Sequence, residues 1–213
     1  MQVITLFAAL SRRAAVVWPA AASAASSPRA LVQQGMDAFS EARIEESILA
    51  FDAAAKLEPK LATRLWQRGL SLYYANRFED AAAQFASDVA ENPNDTEESI
   101  WNYLALARAR GPRSARKQLI VISGERRPVM RLVYAMVETG DEAEVAAVAT
   151  SGTAAPIDRF YAALYLGLYA EAQGDARASE GWIDTALHTS DFSYSRDYML
   201  ALAKVHAKLR RKL

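Results

Sequence analysis

The sequence contains no cysteine. Disulfides, thiolate metal sites and cysteine nucleophiles are excluded by that alone. Histidine is scarce too, with only His188 and His206 present. Neither sign of charge is in excess, since 25 basic residues face 25 acidic ones. The concentrated positive field that nucleic acid requires is therefore missing, and nucleic acid is not an expected partner. There is no Gly-x-x-x-x-Gly-Lys-Ser/Thr phosphate loop and no His-Glu-x-x-His. No catalytic constellation can be assembled, so an enzyme, a bound metal and a cofactor are all unexpected. No integral membrane span is expected either: the apolar run near the N-terminus falls far short of the roughly 20 residues a span needs.

Acidic residues are missing from Met1 to Met36, and Asp37 is the first. Within that stretch Arg12 and Arg13 precede the apolar Ala14-Ala15-Val16-Val17-Trp18, Pro19 interrupts, and Ala22-Ser23-Ala24 follows. A twin arginine, a short apolar run and an A-x-A site make the layout of an export signal. Residues 1–26 are thus expected to be a targeting segment that is removed, with 28–213 as the folded domain. The competing reading is a frayed, alanine-rich first helix.

The chain has 213 residues, 52% of them hydrophobic and 23% charged. That composition excludes a disordered polyelectrolyte and is enough for one domain with a sizeable core. Alanine runs through the whole sequence. It is the best helix former and lets helices approach closely, so the composition leans all-α.

Aligning residues 28–61 with 62–95 reveals a repeat. Leu31 falls on Leu65, Gln33 on Gln67, Gly35 on Gly69, Glu45 on Glu79, Phe51 on Phe85 and Pro59 on Pro93. Each pair is 34 positions apart, the period of the tetratricopeptide repeat (TPR). Glycine in mid-helix costs about 1 kcal/mol against alanine, so Gly35 and Gly69 need a packing reason. The repeat supplies one, the close approach of each hairpin's second helix. Ser47 and Ala81 are small where that helix touches the first. Phe51 and Phe85 fill the gap between hairpins, and Pro59 and Pro93 stop the second helices because proline lacks the donor and clashes with the preceding turn.

A third unit starts at about Thr96, where Asp95 and Glu98 read as an N-cap with a reciprocating acid. Its first helix runs to about Arg110, Gly111-Pro112 turns, and a second helix covers roughly Ser114 to Ile122. Tyr103 stands in the glycine column. A fourth, shorter hairpin opens at Pro128, turns at Gly140-Asp141 and ends at Ser151-Gly152. A fifth runs from Ile157 to about His188, with Gly167 in the packing column and Gly174-Asp175 at the turn. Arg196 to Lys212 reads as a solitary helix that caps the stack. The expected fold is all-α: a TPR helical-hairpin solenoid of about five hairpins plus a C-terminal capping helix.

The stretch from Leu65 to Ala109 carries a family resemblance. RGLSLYY with Asn76-Arg77, then Asp88, Pro93-Asn94-Asp95, Trp101 and Tyr103-Leu104-Ala105, resembles the NlpI-type TPR lipoproteins of bacteria. Arg127-Pro128-Val129-Met130-Arg131, and Asp197-Tyr198-Met199 through Lys204-Val205-His206, are similar to plant and algal TPR proteins of that line, which carry chloroplast-targeting extensions. The likeness spans most of residues 62–210, and the PND-to-Trp block is its most specific part. The chain departs from the bacterial members in lacking a lipobox cysteine, so lipid anchoring does not carry over. The resemblance implies a scaffold or adaptor with no reaction of its own, self-associating in some members and serving a tail-specific processing protease in bacteria. It also implies a chloroplast location, with the thylakoid lumen as the specific destination and an exported or periplasmic one as the alternative.

Several residues admit two readings. His188 and His206 sit late in expected helices, where a cation is favoured. Lys208 to Lys212 is likewise a favourable cationic helix end. Glu45-Glu46 and Glu97-Glu98 lie near helix starts and read as caps and solvated faces. The Arg126, Arg127, Arg131 cluster is a solvated turn or the meeting point for an acidic partner. The lysine, asparagine and arginine of a chaperone-type carboxylate clamp are missing from the groove positions. Those read Val32, Met36 and Phe39 in the first unit, Trp66, Leu70, Tyr73 and Tyr74 in the second, and Ile100 and Leu104 in the third. An exposed apolar and aromatic stripe would mark a protein-binding groove. The other reading packs these residues on a neighbouring first helix or on the chain's own terminal segment. The expected function is a non-catalytic scaffold or adaptor for other proteins. The alternatives are a structural homodimer whose groove is filled by its twin, and a non-catalytic subunit of an enzyme complex.

Overall fold

The computed structural model describes residues 27–122, 124–189 and 197–211. The expected targeting segment, 1–26, lies outside the described residues. Those described form helices and no strand, so the chain is all-α. In order the helices are α1 (Pro28–Ser40), α2 (Ile44–Leu57), a 3-10 turn (Pro59–Arg64), α3 (Trp66–Tyr74), α4 (Phe78–Glu91), α5 (Thr96–Arg110) and α6 (Pro112–Arg116). They continue with α7 (Pro128–Thr139), α8 (Ala143–Ala149), α9 (Pro156–Gln173), α10 (Ala176–Thr189) and α11 (Tyr198–Arg210). No helix among the described residues is long and apolar enough to cross a membrane.

Local chemistry sets the boundaries. Ser27, Asp95 and Asp197 cap α1, α5 and α11, each accepting a backbone N–H of the first turn. Such caps satisfy donors that have no partner inside the helix. Glu45 and Glu46 occupy the first turn of α2, and Glu79 and Asp80 that of α4, where the positive end of the dipole favours them. Pro59 and Pro93 stand two residues beyond the last turns of α2 and α4, as the sequence predicts. The periodicity extends to the backbone. Ala42 (φ 62°) and Asn76 (φ 59°) take the left-handed conformation at the turns of the first two hairpins, 34 positions apart. Asparagine tolerates that region, whereas alanine pays roughly 1 kcal/mol or more for it.

The glycine columns are contact points. A Cβ on Gly35 would stand 2.8 Å from the Phe51 ring, and one on Gly69 would stand 2.7 Å from the Phe85 ring. In the α9/α10 hairpin a Cβ on Gly167 would stand 2.8 Å from Ile183. All three pairs are sixteen positions apart, so three hairpins share one packing register. Phe51 and Phe85 therefore lie on the glycines of their own hairpins, and Phe85 also stacks on Trp101 of the next unit (centroids 5.9 Å apart), in the expected place between hairpins. Ser47, in the small-residue column, donates to Gly35 O at 2.8 Å and touches Ser71 Oγ of the next hairpin at 2.8 Å.

The second helix of the fourth unit, α8, ends at Ala149, just before the expected Ser151-Gly152 stop. Two elements depart from the sequence reading. The helix expected over Ser114–Ile122 is one five-residue turn, α6. Beyond it Ser99 Oγ and Tyr134 OH both donate to Ile120 O, and a carbonyl held from outside is lost to a helix. The terminal helix is not solitary. α11 packs on α10 and on α1, so the last described helix reaches the first.

Candidate functional site

The expected binding stripe is core. Phe39, Leu70, Tyr73 and Ile100 have no exposed surface, Leu104 has almost none, and Tyr74 is 4% exposed. Met36 and Trp66 are half-buried. The open-groove expectation for these residues is thus corrected. They are covered from inside the chain, which also removes the basis for a twin filling the groove. Tyr198 of α11 stacks on Phe39 (centroids 5.6 Å apart) and meets Trp66 edge-on at 5.5 Å. His206 meets Tyr74 edge-on at 5.8 Å. Helical periodicity identifies which face is apolar; it carries no information about which distant helix covers it.

A buried polar junction fastens this covering. Glu171, in an otherwise apolar run of α9, accepts a hydrogen bond from Tyr73 OH at 2.6 Å and is paired with Arg108 of α5. Arg210 of α11 places Nε 2.8 Å from the same carboxylate, though without hydrogen-bond alignment. Its guanidinium also donates to Asn76 Oδ1 (2.9 Å) and Tyr73 O (3.4 Å), closing the C-terminal end of α3 with a cation. One carboxylate therefore joins α3, α5, α9 and α11. The signal for it in sequence is a lone acid between Ala170 and Ala172.

His206 is 2% exposed, and burial holds its imidazole down to about 4, so it is neutral near pH 7. The expected cationic role at a helix end is corrected for this residue; His188, exposed on α10, keeps a structural position with Nδ1 2.7 Å from Asp184 O. His206 Nδ1 lies 2.9 Å from Tyr74 OH and Nε2 3.2 Å from Ser179 Oγ. A serine beside a histidine invites comparison with a nucleophile and its base. Burial raises the Tyr74 phenol well above its usual range, so it keeps its proton. Both ring nitrogens of His206 are thus engaged with buried hydroxyls. The arrangement ties α11 to α3 and α10.

A second set of side chains is less completely used. The N-terminal ends of α5 and α11 border a cavity of about 320 Å3. Trp66, Trp101, Tyr161 and Tyr198 line it, together with the acidic residues Asp95, Glu97, Glu98 and Asp197. Asp95 caps α5, and Asp197 caps α11 while accepting from Tyr161 OH at 3.2 Å. Glu97 is paired with Arg127 at 2.9 Å and accepts from Tyr165 OH at 2.9 Å. Glu98 differs. It is 9% exposed, and its carboxylate has no hydrogen-bond partner among the described residues. Burial, with Asp95, Asp88 and Glu97 adding to it, pushes Glu98 up to about 8. The expectation of a solvated, helix-capping acid is corrected for Glu98 and holds for the exposed Glu45.

The Arg126–Arg131 cluster is partly absorbed internally. Arg127 bridges Glu97 and Glu125, and Arg131 donates to the carbonyls of Glu125 and Arg126. No protein-family model matches the chain, and no curated protein matches it.

Proposed function

We propose that the chain is a non-catalytic TPR protein that holds other proteins as a scaffold or adaptor, working from surfaces other than the filled groove. The observation that carries this reading is the shared register of Gly35 on Phe51, Gly69 on Phe85 and Gly167 on Ile183, joined to the 34-residue offset of the first two hairpins. Stacked hairpins of that period are architectures for presenting surface. The resemblance of residues 65–109 to NlpI-type proteins supports assistance to a partner's assembly or proteolytic processing as the specific task. The acid-free stretch with Arg12-Arg13 and Ala22-Ser23-Ala24 supports delivery to the chloroplast, with the thylakoid lumen as the destination.

The test uses protein purified from its native source. N-terminal sequencing should find a start near residue 25; an intact Met1 removes the targeting claim. Affinity capture followed by reconstitution with the purified candidate should give a complex of fixed stoichiometry, in which the partner's processing or assembly changes and this chain turns nothing over. Turnover of a substrate by the isolated chain would overturn the non-catalytic reading, and absence of any reconstitutable partner would overturn the adaptor.

A further inference from the structure

We propose that the outer face of α2 docks a second copy of this chain, the two α2 helices running antiparallel about a twofold axis near Ala53. Among the described residues three large apolar side chains are exposed: Leu49 at 51%, Leu57 at 59% and Val121. Two of the three share this face. Leu49, Ala53 and Leu57 follow at intervals of four, so they stand one above another along a helix of 14 residues, about 21 Å long. The repeat supplies an internal control. In α4, 34 positions on, the same columns hold Ala83, Ser87 and Glu91. Both hairpins keep the glycine contact and the stop signals, so folding of the unit does not call for the leucines. Apolar surface gathered on one face marks a contact.

The charges along the face favour a copy of itself as the occupant. Around the start of α2 lie Glu41, Glu45 and Glu46 with one cation, Arg43; at its end lie Lys56 and Lys60 with one acid, Glu58. Arg43 is taken up by Glu41 and Glu46, whereas Glu45, Lys56 and Lys60 have no hydrogen bond or ion pair among the described residues. A face acidic at one end and basic at the other complements itself when a copy is laid on it in the opposite direction. With the axis at Ala53, Leu49 of one copy meets Leu57 of the other, and each Glu45 lies against the lysine end of the other helix. A parallel copy would set Glu45 on Glu45 and lysines on lysines. The antiparallel contact is isologous, so it closes at a dimer. One helix pair is a small interface, and the dimer is therefore weak and quick to exchange. The cavity bordered by Arg108, Glu171 and Arg210 is the poorer candidate, because these charges are already paired with one another.

Sedimentation equilibrium of the full chain between about 5 and about 500 µM should show the mass rising from 23.3 kDa toward twice that value. Leu49→Glu and Leu57→Glu, each at an exposed position, should keep the circular dichroism and the thermal midpoint of the dilute protein and weaken the dimer at least about tenfold. Glu45→Lys alone, and Lys56→Glu combined with Lys60→Glu, should each weaken self-association severalfold. An equimolar mixture of those two variants should associate as tightly as the unaltered chain, because opposite charges face each other again at both ends. A constant monomer mass, a dimer unaffected by Leu49→Glu, or no restoration in the mixture would each overturn the assignment. Capture of a different protein by a monomer, lost in Leu49→Glu, would give the face to that partner and likewise overturn the second copy. Dimerisation without a reconstitutable partner would leave this face standing and remove the adaptor, and a monomer that binds a partner would do the reverse.

Discussion

Gly69 sets two effects against each other. Alanine at a mid-helix glycine gains about 1 kcal/mol of helix propensity. Its Cβ, however, would stand 2.7 Å from a Phe85 ring that is itself fully buried. A ring packed on all sides has nowhere to go, and overpacking costs about 1–3 kcal/mol. Gly69→Ala should thus destabilise by about 1 kcal/mol net and Gly69→Leu by more, read from urea midpoints. Phe85→Leu in the same chain should recover part of the Gly69→Ala loss, and strict additivity of the two would contradict the contact. His206 makes a second prediction at this scale. Its folded-state value near 4 lies below the ordinary 6.5, so the unfolded chain binds more protons between those limits. The stability it contributes is complete above about pH 6.5 and is lost as the pH falls toward 4, on the order of 3 kcal/mol at most. Glu98 and Asp88, held up to about 8 and about 7, have the opposite sign: their contribution is present below their unfolded values and is lost as the pH rises through 7 to 8. Comparing unaltered protein with His206→Asn from pH 4 to 7 isolates the histidine. The gap in unfolding free energy should narrow on acidification, and a constant gap would show that His206 does not titrate.

At the scale of elements, α11 matters more than its length suggests. It covers Phe39 and Trp66 through Tyr198, and Tyr74 through His206 and Arg210. Ending the chain after Thr189 should uncover that stripe, so the shortened protein should bind a hydrophobic dye and unfold at lower temperature and with less cooperativity. An unchanged midpoint would mean that α11 rests on the surface without stabilising it. How much of each element was legible follows from where its determinants lie. The first two hairpins and the α9/α10 hairpin were readable because their glycines, large apolar partners and stop signals are within one unit. The second helix of the third unit was not, because Ser99 and Tyr134, far along the chain from one another, hold Ile120 out of it. The same limit applies to the sites. Trp66, Tyr73 and Tyr74 were recognisable as one apolar face, but their cover arrives from residues 198–210. Glu98 was recognisable as a helix-start acid, but its burial was not. The available clue was the acid run Glu97-Glu98 set one turn before Trp101.

On the scale of the whole molecule, the contact between α1 and α11 changes the mechanics. An open stack of hairpins is held only by neighbours, so its ends fray before its middle. Here Lys208 Nζ donates to Glu41 O at 3.1 Å, Arg210 reaches Asn76 at the turn after α3, and Glu171 ties α9 to α3, α5 and α11. Both ends are therefore fastened to the middle. Native-state hydrogen exchange should find amides of α1 and α11 opening with a free energy close to that of α9, since opening of α11 would strand the buried Glu171–Arg108–Arg210 cluster and α1 is held to α11 through Phe39–Tyr198 and Lys208. Removing one member of a buried ion cluster typically costs about 3–5 kcal/mol, because the charges left behind are uncompensated. Glu171→Gln, which keeps the shape and drops the charge, should cost about 3 kcal/mol and lower protection in α1, α9 and α11 together. If α11 alone lost protection while α1 and α9 kept theirs, the ends would be touching without being energetically joined, and the chain would behave as an open stack.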